Sequence, residues 1–270
     1  MSRAIVKAYI DLPWGQVHLR TVASGAAARW PVFLLHQSPL SSRNYEQLLP
    51  LLTGPCHPVA LDTPGYGSSS PAPAHWEVED YANAVWDAAD ALGWPGQAVL
   101  FGRATGAVFA LQAALSRPDR VRCLILHGMP VYTDAERAHR MAHFAPPLPL
   151  QADGSHLQRI WDRIQGEYPW IDPALATHLA ADFLAAGPDF AQSYRAIWRY
   201  DLAHHARAGT GCPTLLLGGS ADRIAFMHAR AVALLPNAES LVLNGATDFV
   251  AEQAPMQLAR PVQDFIARHC

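Results

Sequence analysis

Proton transfer near neutral pH is chiefly histidine chemistry, because the unperturbed imidazole titrates there. Of thirteen histidines, His127 is the best placed. It leaves an apolar run in Leu126-His127-Gly128-Met129-Pro130, where a pocket edge is expected, and reads as a spare base or as a hydrogen-bonded core histidine. His139 and His143 stand four apart and could share a helix face, but nothing between them supplies the glutamate of H-E-x-x-H. No metal and no cofactor is expected. Ser38 offers a hydroxyl, yet a serine in a loop such as His36-Gln37-Ser38-Pro39 more often caps or turns the backbone than attacks substrate. Gly102-Arg103-Ala104-Thr105-Gly106 puts glycines either side of a methyl group that cannot attack a carbonyl.

These residues sit among short apolar runs that alternate with segments of helical periodicity, the pattern of a mainly parallel sheet covered on both faces. Residues 4–10 and 16–22 read as a hairpin around Pro13-Trp14-Gly15, and 31–35 as a buried strand followed by a helix over 43–52. Residues 57–61, 97–101 and 121–126 read as strands, 78–92 and 104–115 as the helices between them. Between residues 131 and 211 the alternation stops and aromatics become frequent, which predicts a helical cap. The strand pattern resumes at 213–217 and 240–243, with a helix between them through 235 and a closing helix over 250–268. The expected organisation is a core of residues 1–130 and 212–270 with a cap insertion of 131–211.

The composition fits that architecture. Of 270 residues, half are hydrophobic and 16% charged, enough to bury a large core. A net charge of -3 with scattered arginines gives no reason to expect nucleic acid. The start lacks the apolar stretch of a signal peptide and no stretch is long enough to span a bilayer, so a cytoplasmic protein without membrane association is expected. Cys56, Cys123, Cys212 and Cys270 lack CxxC spacing and read as buried reduced thiols. The expected partner is a small molecule. A homodimer remains an open alternative.

Four motifs carry a family resemblance: Leu34-Leu35-His36-Gln37-Ser38-Pro39, Asp62-Thr63-Pro64-Gly65-Tyr66-Gly67, Gly102-Arg103-Ala104-Thr105-Gly106 and Gly219-Ser220-Ala221-Asp222. In content and order they resemble α/β-hydrolases. The likeness covers nearly the whole chain and is closest to the capped branch of esterases, carbon-carbon bond hydrolases, dehalogenases and epoxide hydrolases. It implies a doubly wound, mainly parallel sheet with a helical cap. It also places Ala104 at the nucleophile position of G-x-S-x-G, Asp222 at the acid position and Asp248 where the histidine belongs. Aspartate's intrinsic pKa lies roughly two to three units below histidine's, so Asp248 cannot simply inherit the proton shuttle.

On that alignment the hydrolytic triad is lost. A serine-to-alanine change alone would leave the histidine in place, and Asp248 argues against that origin. The resemblance brings Asp222 and Asp248 together, either sharing a proton as a general acid-base pair or neutralised by Arg103 or Arg223 as an ion cluster. The backbone N–H groups of Ser38 and Thr105 are the implied oxyanion hole. His36 falls at a position where the family's histidine is commonly structural. Pocket candidates are His36, Arg103, His127, His156, Trp161 and Trp198, although aromatics at helical spacing more often pack a cap onto its core. The expected function is a cofactor-free, non-hydrolytic enzyme of lyase, isomerase or cyclase type on a small carbonyl or aromatic compound. The alternatives are an ester or carbon-carbon bond hydrolase inactivated at Ala104, and a small-molecule binding protein without catalysis.

Overall fold

Val32, Phe33, Leu34 and Leu35 are buried on both faces of their strand, and such a continuous apolar run requires helices on either side. A computed structural model of the chain, which describes residues 4–23, 30–52, 54, 56–144 and 146–270, supplies them. Eight strands, β1 (Ile5–Leu12), β2 (Gly15–Val22), β3 (Trp30–Leu35), β4 (Cys56–Leu61), β5 (Ala98–Arg103), β6 (Val121–His127), β7 (Thr214–Gly219) and β8 (Glu239–Leu243), form one sheet in the order β1-β2-β4-β3-β5-β6-β7-β8. The β1–β2 and β2–β4 pairs are antiparallel and the rest parallel. After β4 the chain crosses β3 to add β5 on its far side. That reversal opens a crevice at the carboxyl ends of β3 and β5, where open α/β sheets bind ligands.

The helices α1 (Val78–Ala91) and α2 (Thr105–Ser116) cover one face, and α10 (Pro255–His269) the other. Between β6 and β7 the cap consists of α3 (Asp134–His143), α4 (Ser155–Glu167), α5 (Pro173–Ala186), α6 (Gln192–Arg199) and α7 (Leu202–Ala206). It has a core of its own, with Ile160, Ile164, Leu179 and Phe183 packed against Leu40 and Phe249 below. Burying those side chains, at roughly 1.5–3 kcal/mol each, is what seats the cap.

Three expected helices differ. The stretch 43–52 forms only short 3-10 turns, Ser42–Tyr45 and Leu49–Leu51, because Pro50 removes an amide donor from the middle of the segment. The closing helix is split into α9 (Val250–Gln253) and α10 at Ala254, a non-helical residue before Pro255. The helix expected through 235 is likewise short, a 3-10 turn Ala225–Met227 followed by α8 (His228–Leu234). Among the described residues no helix is long and apolar enough to cross a membrane.

Candidate functional site

The β5–α2 turn is built by its glycines. A Cβ on Gly102 would lie 2.2 Å from Gly106 O, and one on Gly106 would lie 2.2 Å from Leu35 O. Only glycine permits this approach of turn to helix and of helix to β3. Between them Ala104 sits at φ 49° and ψ -111°, the sole non-glycine residue at positive φ among those described. Such backbone costs of order 1–3 kcal/mol and persists only where its surroundings hold it. Here the Ala104 N–H donates to His127 O at 3.0 Å, and Ala104 O accepts from Ala107 N–H at 2.9 Å. The sharp elbow survives although its centre carries a methyl group.

Above Ala104 lies a cavity of about 240 Å³ between core and cap. Its floor includes Ser38, Arg103, Ala104, Thr105 and Asp248, while Tyr132, Arg140, Phe144, Arg163, Glu167 and Tyr194 contribute cap-side wall. Thr105 opens α2, and its amide has no acceptor among the described residues, as expected of an N–H in a first helical turn. It is free to face an anion. The Ser38 N–H, the other implied oxyanion donor, is engaged instead: it donates to Thr105 Oγ1 at 2.7 Å. The hydroxyl at position 105 therefore occupies one of the two expected donors. Ser38 Oγ in turn accepts from Thr105 Oγ1 at 3.1 Å and from Ser193 Oγ at 2.8 Å, which leaves its own O–H as a donor on the cavity wall.

Asp222 follows β7 and Asp248 lies between β8 and α9, so both arrive at the carboxyl edge of the sheet. They do not bond each other. The Arg103 guanidinium stands between them, with Nη2 2.7 Å from Asp222 Oδ2 and 3.8 Å from Asp248 Oδ1. This is the ion-cluster arrangement. Arg103 is only 5% exposed and fits because Gly128 has no side chain, since a Cβ there would fall 2.1 Å from Arg103 Nη1. Burial pushes the Asp222 carboxyl above its ordinary pKa, opposed by the Arg103 charge and assisted by that of Asp248.

Asp248 is held from the other side. The Arg223 amide donates to Oδ2 at 3.0 Å and Arg223 Nε to Oδ1 at 3.2 Å. Arg223 Nη1 then reaches Glu167 Oε2 at 2.9 Å, and Glu167 Oε1 lies 2.9 Å from Arg163 Nε. The result is an alternating ladder, Asp222, Arg103, Asp248, Arg223, Glu167, Arg163, running from the sheet edge into α4. Three cations meet three anions, a balance that lets charges sit this deep.

The remaining expected pocket residues lie elsewhere. His36 is fully buried beside the cavity loop, accepting from the Thr63 N–H at 2.9 Å, with its ring held against Gln37 O. Burial lowers its pKa. His127 is 1% exposed, its Nε2 has no partner among the described residues, and burial followed by the Arg103 charge holds its pKa well below the usual value. It does not reach the cavity wall. His156 accepts from the Gln151 N–H at the start of α4. Trp161 packs against the cap core, and Trp198 stacks behind Tyr194 with ring centroids 5.6 Å apart. These five do not line the cavity because each is consumed by local packing or capping.

The wall residues that sequence reasoning passed over are Arg140, Arg163, Glu167 and the aromatics Tyr132, Phe144, Tyr168 and Tyr194. Arg163 and Glu167 carry a signal, an i,i+4 pair of opposite charge, but it reads equally as a solvated helix face. His139 and His143 stack at 4.6 Å on exposed α3, and no group of three or more metal-ligating side chains occurs among the described residues.

A model of the alpha/beta hydrolase fold matches residues 31–255. The chain is 26% identical over 267 residues to 2-(acetamidomethylene)succinate hydrolase of Mesorhizobium japonicum, covering 93% of this chain and 92% of that protein. It is 34% identical over 121 residues to haloalkane dehalogenase of Agrobacterium fabrum, covering 44% of this chain and 38% of the relative. The crystal structure of E-2-(acetamidomethylene)succinate hydrolase superposes with a TM-score of 0.75 at 23% identity, covering 98% of this chain and all of that one. With this sheet order, the glycine-lined elbow after β5 and a matched span from β3 to the start of α10, the chain belongs to the α/β-hydrolase fold family.

Proposed function

We propose that the chain is a cofactor-free enzyme of non-hydrolytic type, catalysing elimination, isomerisation, cyclisation or decarboxylation of a small carbonyl compound. The observation that carries this reading is the strained elbow at Ala104, kept beneath a formed cavity with no nucleophile on it. Retained strain at a cavity floor supports retained use of the backbone it aims. In this reading the Thr105 N–H and the Ser38 O–H stabilise a developing enolate, and Asp248, at the old base position, moves a proton. A carboxylate is intrinsically a weaker base than an imidazole, so the proton it takes in this reading is already acidic, such as one between two electron-withdrawing groups. The 26% identical relative is named for a succinate derivative bearing an enamide, a substrate type with carbonyl groups of that kind.

The test is a screen of small keto acids, enamides and lactones, followed by proton NMR in heavy water. Consumption or deuterium exchange should fall about 100-fold or more in Asp248→Asn. A screen with no consumption and no exchange would defeat the reading. Binding alone is favoured by one specific feature, the engagement of both Asp248 oxygens by Arg223. Affinity altered by Asp248→Asn, with nothing ever consumed, would mark that outcome.

An inactivated hydrolase is the other reading, favoured by the intact turn geometry. Ala104→Ser alone should remain poor on 4-nitrophenyl acetate, because serine needs a base to raise its nucleophilicity. Ala104→Ser/Asp248→His should then exceed the single variant by at least about ten-fold if the pocket is still a hydrolase pocket. Equal rates would count against it.

A further inference from the structure

The cavity wall carries four arginines, Arg103, Arg140, Arg163 and Arg223. The ladder described above neutralises three of them against Asp222, Asp248 and Glu167, each within 4 Å of a carboxylate oxygen. Arg140 is the remainder. No described carboxylate lies within ion-pair distance of it. Its nearest acidic neighbour along α3, Glu136, is taken by Arg230 at 2.7 Å and caps the helix through the Thr133 N–H.

Arg140 is also held ready. Its guanidinium carbon lies 4.9 Å from the Tyr132 ring centroid and 4.7 Å from that of Phe144, so two aromatic faces fix it. Among the described residues no hydrogen bond or ion pair takes up its N–H groups, and the fork they form matches a carboxylate. Arg163 lies against the same Phe144 ring at 5.1 Å but is tied to Glu167. A half-buried cation with an unmet charge, set between Tyr132 and Phe144 on the cavity wall, calls for an anion from outside.

We propose that the physiological ligand carries a carboxylate that docks on Arg140 at the cap end of the cavity, while its unsaturated or aromatic body lies along Tyr132, Phe144 and Tyr194 towards Ala104. This deepens the reading of the cavity as the functional site and rests on it. The carboxylate is a positioning contact, and its far end is where the reacting carbonyl meets Thr105.

The test uses binding, which is independent of turnover. Benzoate with benzamide, phenylacetate with phenylacetamide and fumarate with fumaramide are titrated by calorimetry into the intact protein, Arg140→Gln and the surface control Arg268→Gln. In the intact protein and the control, at least one acid should bind about ten-fold or more tighter than its amide, the worth of one charge-assisted contact. Arg140→Gln should erase that ratio while leaving the amide within about two-fold. Amides binding as well as acids, a ratio unchanged in Arg140→Gln, or no acid binding in any pair would each overturn the proposal. If Arg140→Gln unfolds, Arg140→Lys replaces it, and a preference that keeps its full size there also counts against a bidentate site. Charge-selective binding without turnover sinks only the enzymatic reading, whereas turnover of neutral compounds indifferent to residue 140 sinks only the carboxylate site.

Discussion

Arg103 is the residue on which the site's charge balance turns. Its guanidinium is almost wholly out of water and separates two carboxylates that are themselves 6% exposed. Removing one member of such a buried arrangement leaves the others uncompensated, at a cost of about 3–5 kcal/mol. Arg103→Gln should therefore lower the free energy of unfolding by that amount in urea titrations. A loss under about 1 kcal/mol would mean that one aspartate takes up a proton and absorbs the change. Thr105 Oγ1 accepts the Ser38 N–H and donates to Ser38 Oγ, so the hydrogen-bonding capacity left to Ser38 lies on its side chain. Sequence alone singled out Ala104 and Asp248, and both line the cavity. It could not place Arg140, because an arginine on a polar helix reads as solvated until the acids around it have been counted.

At the scale of elements, the strands and the elbow were legible because apolar runs and glycine spacing are local signals. The segment after β3 was not, since its helical periodicity is overridden by Pro50 and by the hydrogen bond of Tyr45 OH to Leu35 O. Another feature needs three elements at once. Asp182 of α5 and Glu252 of α9 converge with Asn44 of the first 3-10 turn on a second cavity. Burial raises Glu252 from 4.5 to about 7, opposed by the Asn44 hydrogen bond, and raises Asp182 from 3.8 to about 6, opposed by Arg43. Both carboxyls hold protons in the folded protein that they release when unfolded, so the folded state binds more protons between about pH 4 and 7. Stability contributed by these groups is complete at the acid end of that window and lost as pH rises through about 6 and then about 7. The lowered values of His36 and His127 make stability rise through about pH 6.5, so the Glu252 contribution is read as a difference: the urea midpoint of the intact protein minus that of Glu252→Gln should decline from pH 5 towards 7.5. A difference that stays level over that range would show that Glu252 does not carry it.

Across the whole molecule, cap and core meet through two kinds of contact. Ile160, Ile164 and Tyr168 bury apolar surface, while Arg223 to Glu167 closes the ladder between the segment after β7 and α4. The ladder's inner members are sealed from solvent, but Arg223 and Glu167 side chains are 38% and 23% exposed, so salt acts on this rung first. In 1 M sodium chloride, amide exchange in α4 should accelerate while α2, packed inside the core, keeps its protection. Equal rates in both salts would assign the closure of the cap to apolar packing alone.

Dissolved ions would then pull in two directions on anything entering from solution. By loosening the Arg223–Glu167 pair they free α4 from the segment after β7, and by shielding Arg140 they weaken the attraction that draws a negative solute inside. Capture of such a solute should be fastest at an intermediate ionic strength and slower in both dilute buffer and brine, a dependence that neither effect produces by itself.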